Sequence, residues 1–446
     1  MEISKENYPR LLIVGTVPYN PQSTSRAFDA YFRSWQRDNL AQVFSDPNEP
    51  VKGHCGHLFQ ITDRRIVSRW MGRNIPTGKA YRYEDLGDDV STFTPGGIAA
   101  KENKVTALMY KIGRGHSPFT HLLRKLLWRK AFWNTSEFNH WLEAFNPECV
   151  FLSFSNDFFI LEIALYVAEK FDIPICSSTG DDYYFNTKFS LNPLWYLYHG
   201  MYRRLNRRVF AHKGSAIYIS DKIRDKYNEA FGLNGQTVYL VSDIKRRPFR
   251  PINPENIKIR YFGNIRMGRN KSLCDIADAL GRINPHLMLE VYSGEPDAKI
   301  TGIFKAHPNL AFKGRIPYSE VMLLSVDSDI LVVVEGFSKR DVQTVRYSLS
   351  TKVADSLASG CNVLAYGAPE TGAMEYIKST HCATVCHSID QLVTSLSQLF
   401  NDVNLQKQNY QQAEIISKKN HVVEQSNARV ENIIRHLVDE NKESHA

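Results

Sequence analysis

Three cations sit on or beside one glycine turn, in the stretch 261-YFGNIRMGRNKSLCDIADAL-280: Arg266, Arg269 and Lys271. The turn separates a buried-strand signal from an amphipathic-helix signal. Gly263 ends the strand, Gly268 lets backbone approach a ligand, and a helix starting near Lys271 or Ser272 offers N–H groups and a positive dipole end to an anion. An arginine fork can grip two phosphate oxygens at once. A solvated cationic turn is the competing reading. The spacing is not a Walker loop, because Arg269 and Asn270 stand where G-x-x-x-x-G-K-[ST] requires Lys and Ser or Thr, and it is not G-x-G-x-x-G.

A second stretch, 349-LSTKVADSLASGCNVLAYG-367, carries Lys352 in the first turn of a helix that Ser350 or Thr351 can cap and Gly360 can end. A cation there opposes the helix dipole unless an anion lies between them. A bound diphosphate supplies that anion.

The elements that must position these groups alternate along the chain. LLIVG, CVFLSF and IPICSST read as short apolar strands in the first half; IKIRYFG, LMLEVYSG, NLAFKG, DILVVV and NVLAYG read so in the second, with amphipathic helices between. That pattern predicts α/β architecture with parallel sheets covered on both faces. At 446 residues the chain exceeds one core, so two domains are expected. The proline-rich cationic stretch SDIKRRPFRPINPEN marks a linker at 242–256. It separates residues 1–241 from a second unit at 257–402, and 403–446 reads as helices that can cross back to the first domain. Residues 64–118 break the rhythm and are expected to be long loops or an insertion.

Composition bounds the chemistry. Apolar residues make up 43% and charged residues 23%, ordinary for a globular protein, and the formal charge is +8. Seven scattered cysteines fit a reducing compartment rather than a disulfide framework. The Cys382, Cys386, His387 and His54, Cys55, His57 groups are too local for closed zinc sites. Asp327-Ser328-Asp329 spells DxD, but it directly precedes a strand and reads as a helix end, so no metal is expected. No recognised nucleic-acid module is present. The amino terminus lacks an apolar leader and no run approaches a membrane span, so the expected location is cytoplasmic.

Two α/β units, the cationic glycine turn, E-G-F at 335–337 and S-x-K-x-x-D-x-L-A-S-G at 350–360 together resemble the retaining nucleotide-sugar glycosyltransferases of the GT-B fold, the glycogen-synthase-like and bacterial polysaccharide group. Residues 257–400 resemble the donor-binding domain, and residues 1–240 the acceptor domain in layout. The resemblance implies two doubly wound Rossmann-like domains facing each other across a cleft, closing about the linker. The partners implied are a nucleotide diphosphate sugar as donor and a saccharide or lipid-linked saccharide as acceptor, with no cofactor.

On the donor side it implies roles for Gly263, Asn264, Arg266, Arg269, Lys271, Ser350, Thr351 and Lys352 around the diphosphate. Which of Arg266, Arg269 and Lys271 meets it stays open. Glu335 would face the donor sugar and Asp355 would hold the ribose. Asp355 follows Glu335 by 20 positions, where the family has E-x7-E, and the longer segment between carries Lys339, Arg340 and Arg346. Gly372 and Glu375 are similar to the family's "GG..E" element, although Glu375 can equally pair with a surface cation.

On the acceptor side Gly15, Asn20, Ser23 and Arg26 follow the first strand, and Asp181 and Asp182 end another, where a carboxylate can orient or deprotonate a hydroxyl. The basic, aromatic stretches 121-HLLRKLLWRKAFW-133 and 196-YLYHGMYRRLNRRVF-210 are half-buried helices or rest on an anionic membrane face, as acceptor-domain helices of similar enzymes do. Rival readings are a nucleotide-sugar epimerase or hydrolase, or a silent nucleotide-binding partner of another transferase.

Overall fold

The computed structural model describes residues 8–18, 26–87, 117–185 and 189–445, with Arg26 and Ala27 described by backbone only. Asn20, Ser23 and the Arg26 side chain lie outside the described residues, as does 88–116 of the segment expected to be loops.

The chain forms two compact units. One comprises residues 1–218, 224–237 and 427–446, and the other 219–223 and 238–426. Each is built on its own sheet.

In the first unit eight strands lie in the order β4-β3-β2-β1-β5-β6-β7-β8. They are β1 (Leu11–Val14), β2 (Leu40–Phe44), β3 (His57–Ile61), β4 (Gly78–Arg82), β5 (Cys149–Ser153), β6 (Ile175–Thr179), β7 (Gly214–Tyr218) and β8 (Gln236–Thr237). All neighbours are parallel except β3 and β4, which run antiparallel with His57 opposite Arg82. This corrects two expectations. The sheet is mixed, and the segment after residue 64 holds a helix, Asp63–Trp70, and a strand before the undescribed stretch. The strand was hidden because GKAYR is short and charged, as edge strands often are. Gly78 is required there: a Cβ would lie 2.2 Å from the Phe59 ring. Three helices of this unit matter below: α1 (Pro118–Leu127), α2 (Phe158–Phe171) and α3 (Pro193–Ala211).

The second unit holds six parallel strands in the order β11-β10-β9-β12-β13-β14. These are β9 (Ile259–Phe262), β10 (Leu289–Tyr292), β11 (Leu310–Gly314), β12 (Ile330–Val334), β13 (Asn362–Tyr366) and β14 (Thr384–Cys386). Successive residues of β12 face opposite sides. Val332 and Val334 join one buried cluster with α4 (Arg269–Ile283), whereas Val333 joins another with α6 (Thr351–Ser359) and α7 (Gly372–Thr380). Apolar residues at every position are what a strand covered on both faces requires. Between β12 and α6 a short helix, α5 (Lys339–Val345), fills the longer segment noted above.

The stretch 242–256 runs extended along this unit. Arg247 N donates to Ser359 O at 3.1 Å, Arg246 Nη1 to Leu357 O at 2.6 Å, and Ile252 N to Gln406 Oε1 at 3.0 Å. The final residues form two helices, α8 (Val403–Asn420) and α9 (Val423–Glu443). From Asn427 onward α9 belongs to the first unit, where Asn427 Nδ2 donates to Tyr31 O at 3.1 Å. Among the described residues no helix is long and apolar enough to cross a membrane.

Candidate functional site

In an open parallel sheet, ligands gather beyond the carboxyl ends of strands where the strand order reverses. In the second unit the order reverses between β9 and β12. Gly263 follows one of these strands and Glu335 the other.

Gly263 has φ 133°, and a Cβ there would lie 2.2 Å from Cε of Lys352 and 2.9 Å from its Nζ. Only glycine leaves room for the lysine to cross the strand end. Lys352 enters from the first turn of α6 and sets its ammonium 5.3 Å from the centroid of the Tyr261 ring. The side chain is deeply set although not fully closed off, and among the described residues its Nζ has no hydrogen-bond or ion-pair partner. Its pKa falls from 10.5 to about 8, first because burial penalises the charge and then because Arg269 is close, against the opposing pull of Glu335 and Asp355. The Ser350 side chain occupies the cap position of α6 and makes no capping hydrogen bond.

Arg269 and Glu335 form a buried pair. Nε and Nη2 of Arg269 lie 2.9 and 2.8 Å from Oε2 of Glu335. Burial raises the Glu335 carboxyl while Arg269 and Lys352 pull it down. Ser272 Oγ donates to the Glu335 carbonyl at 2.8 Å, which ties the first turn of α4 to the end of β12.

The glycine turn itself departs from expectation. Helix α4 starts at Arg269, capped by Gly268 at φ 75°, and its first amides are consumed locally: Asn270 N by Ile265 O at 2.9 Å and Lys271 N by Gly268 O at 3.0 Å. The amides of α4 that the sequence offered to an anion are satisfied by the turn's own carbonyls. Gly336 lies so close that a Cβ would sit 2.4 Å from Met267 O, and Asp341 of α5 packs against both Gly268 and Gly336. Arg266 turns to Glu295 in a two-pronged pair at 2.7 and 2.8 Å on the surface. Asn264 Oδ1 accepts from Arg266 N at 2.7 Å, and Lys271 is exposed.

Asp355, one turn beyond Lys352, accepts from Ser242 Oγ at 2.7 Å and Tyr318 OH at 3.0 Å. Thr351 is exposed beside Lys352. Gly372 opens α7 against Ser348 O, which a Cβ would approach to 2.6 Å. Glu375 pairs with Lys222. Thus Gly263, Arg269, Glu335 and Lys352 come together, Asp355 stands a turn away, and Arg266, Lys271 and Glu375 point to other partners or to solvent.

Tyr261, Asp341, Ser242 and Tyr318 were not singled out in the sequence. The S-x-x-D of Ser338 and Asp341 is a legible cap signal; Ser242 and Tyr318 reach the site only through the fold. Asp327 pairs with Lys258 and Arg260, and Asp329 with Arg250, so the DxD serves the amino-terminal side of the strands. Among the described residues no three metal-ligating side chains cluster.

In the first unit the order reverses between β1 and β5. Gly15 ends β1, and a Cβ would touch Ser153 at 3.3 Å. Asp181 is exposed. Asp182 is a turn-building residue rather than a carboxylate left for a hydroxyl: its Oδ1 accepts from Tyr184 N, Phe185 N and Tyr227 OH at 3.0, 2.8 and 2.8 Å. A group unforeseen in the sequence lies past β5, where Arg124 bridges Asp63 and Asp157, and His121 faces Asp157 at 3.5 Å.

No protein-family model matches the chain, and no curated protein sequence does. Solved structures do. Sucrose-phosphate synthase (tll1590) from Thermosynechococcus elongatus superposes with TM-score 0.57 at 11% identity, over 97% of this chain and 99% of that one. Anabaena Alr3699/HepE in complex with UDP and glucose gives 0.58 at 12%, over 95% and 98%. A glycosyltransferase from Rickettsia africae ESF-5 gives 0.51 at 12%, over 97% and 99%. The chain has the GT-B fold. At these identities the likeness speaks for the fold, and the chemistry must be argued from the residues.

Proposed function

We propose that the protein transfers a sugar from a nucleotide diphosphate sugar to a hydroxyl of a saccharide or lipid-linked saccharide, with retention at the anomeric carbon, in the building of a cell-surface polysaccharide. The observation that carries this reading is the Lys352 ammonium, held over Gly263 at the order reversal with no partner of its own. A buried polar group normally finds a partner within the protein, and a charged one left without is a place for a ligand of opposite sign.

Breaking the donor bond develops negative charge on the leaving diphosphate. Lys352 and the uncapped start of α6 are fixed in advance around that charge, so they stabilise the transition state more than the ground state. Two unit charges ~4 Å apart interact by roughly 4 kcal/mol at an effective dielectric near 20. Glu335, held by Arg269, stands beside the same end of the sheet for the donor sugar, and Asp355 serves the ribose. The GT-B fold shared with HepE, a protein solved with UDP and glucose, supports a nucleotide sugar as the donor. In this reading protein cations, rather than a metal ion, neutralise the leaving group, and the protein works at the cytoplasmic face of an anionic membrane.

The test is turnover of a panel of nucleotide sugars with and without saccharide acceptors, in chelator and in added divalent metal. Acceptor-dependent release of the nucleotide diphosphate supports transfer. Donor consumption without acceptor replaces it with epimerisation or hydrolysis, and tight nucleotide binding without turnover replaces it with a silent binding partner.

A further inference from the structure

Helix α3 of the first unit carries one face whose polar groups the protein does not complete. Trp195, His199, Arg203 and Arg207 follow one another four residues apart and so share a stripe along the helix. The rings of Trp195 and His199 stack with centroids 4.8 Å apart, and the Arg203 guanidinium lies 4.5 Å from the centroid of the Tyr184 ring, on the segment that leaves β6. Arg207 Nε donates to Tyr184 OH at 2.9 Å.

Neither arginine of the stripe meets a carboxylate. Arg124 of α1 is answered by Asp63 and Asp157, and Arg208 of α3 by Glu169 of α2. Among the described residues Arg203 and Arg207 form no ion pair, and residues 189–211 contain no Asp or Glu. Asp182, on the same segment as Tyr184, is already engaged by Tyr227 and two amides. The Nε of Arg203 and the Nε2 of His199 are closed off without a hydrogen-bond partner, and His199 is only 8% exposed. Burial, and after it the charge of Arg203, hold the imidazole below its ordinary pKa of 6.5. A desolvated cation beside an unpartnered imidazole is unfavourable until an anion completes it. Arg203 is half-buried and Arg207 exposed, so an incoming anion reaches both.

Gly200 shares this side of the helix, three residues before Arg203 and seven before Arg207. A glycine inside a helix weakens it. Packing does not explain this one, because it is exposed and a Cβ there would meet nothing within 4 Å. The bare backbone leaves open space beside the arginines, and the Tyr196 ring, 49% exposed and one turn earlier, borders it.

Two planar guanidinium forks beside an open backbone match the oxygens of a phosphate ester, and an exposed ring suits the face of a sugar. A uronate carboxylate offers two oxygens, enough for one fork; a phosphate serves both. We propose that this side of α3 binds a phosphorylated saccharide, with Arg203 and Arg207 on the phosphate oxygens and the sugar over Gly200 beside Tyr196. Naming that saccharide the acceptor rests on the transferase reading. The phosphate site itself stands on first-unit residues alone.

The experiment is calorimetric titration of the full chain with inorganic phosphate, with glucose and mannose phosphates, and with the matching free sugars. The sugar phosphates are expected to bind at least about tenfold more tightly than the free sugars. Arg203→Gln with Arg207→Gln is expected to weaken them about tenfold or more. Gly200→Leu keeps every cation and fills the open space, so it is expected to abolish sugar-phosphate binding with the melting temperature unchanged or raised, since leucine favours the helix. Binding of a nucleoside diphosphate is expected to stay at the wild-type level in all these variants.

Equal affinity for sugar phosphates and free sugars overturns the proposal, as does binding that survives both Gly200→Leu and the arginine pair. Binding of inorganic phosphate without any affinity for the sugar phosphates replaces the saccharide by a bare anion. Displacement of a bound sugar phosphate by phosphatidylglycerol vesicles reassigns the site to a lipid headgroup. Where sugar phosphates bind as expected, failure to transfer a sugar to any phosphorylated acceptor counts against the transferase reading and leaves the phosphate site standing.

Discussion

Both sheets reverse their strand order, and the two reversal points differ in how they treat charge. Past β5 in the first unit, Arg124 meets Asp157 at 2.8 Å and Asp63 at 3.0 Å, Trp128 Nε1 donates to Asp63 at 2.6 Å, and His121 faces Asp157. Every charged group has an answer within the protein. Past β9 and β12 in the second unit, Arg269 and Glu335 answer each other but Lys352 is left over. The same topology supplies a crevice in each case. What fills it differs: a closed network specifies structure, whereas a surplus ammonium specifies a ligand.

The largest expected effect separates these two roles. Lys352→Ala should lower transfer by about a thousandfold, the equivalent of the ~4 kcal/mol a charge pair of this kind supplies. It should also weaken nucleotide diphosphate binding in calorimetry while leaving the melting temperature of the free protein unchanged or raised, because the lysine has no partner to lose. A marked fall in that melting temperature would make Lys352 structural and erase the contrast. Next in size is Arg124→Met, which leaves the buried Asp157 and the half-buried Asp63 without their cation. A loss of about 3 kcal/mol is expected, the usual cost of breaking a buried pair, seen as a lower denaturant midpoint with nucleotide affinity retained. An unchanged midpoint would show that the first network carries no stability.

How much of this was legible in the sequence follows from range. The alternation of short apolar strands with amphipathic helices is local information, and it gives β1, β5 and β6 of the first sheet and β9 to β13 of the second. Lys352 was legible because a cation in the first turn of a helix contradicts the dipole. Its position over Gly263 was not, since that depends on which strands become neighbours. The turn at 263–271 reads as an anion loop by composition, yet Ile265 and Gly268 carbonyls satisfy the amides that composition seemed to offer. Asp182 likewise reads as a free carboxylate, and only the placement of Tyr227 shows otherwise. Strand β4 was missed because GKAYR lacks an apolar run, its partner strand supplying the order.

A smaller effect sharpens the contrast through pH. In the folded protein Lys352 gives up its proton near pH 8, and in the unfolded chain only near its ordinary 10.5. Between these values the unfolded state binds more protons, so stability of the free protein should rise with pH across that window. Affinity for the diphosphate should run the opposite way. It is full below about pH 8 and falls by at most about tenfold per unit above it, as the ammonium becomes an amine. Arg269, Glu335, Asp355 and Tyr261 face the same group, so Lys352→Ala is the control in which both slopes should vanish. Identical slopes in the variant would assign them elsewhere.

The smallest effect is expected at Arg266, the cation the sequence placed most prominently on the turn. Its guanidinium is exposed and already held by both oxygens of Glu295. Surface pairs of this kind contribute little to stability, so Arg266→Ala should leave the melting temperature essentially where it is and change nucleotide affinity by no more than about threefold. Glu295→Ala is the more revealing substitution. It releases Arg266 from its partner and gives the second unit another unanswered cation beside the turn. If charge left without a partner is what recruits the diphosphate, Glu295→Ala should tighten nucleotide binding, and adding Arg266→Ala should cancel the gain. Equal affinities in the single and double variants would confine recognition to Lys352 and leave the turn as a solvated surface loop.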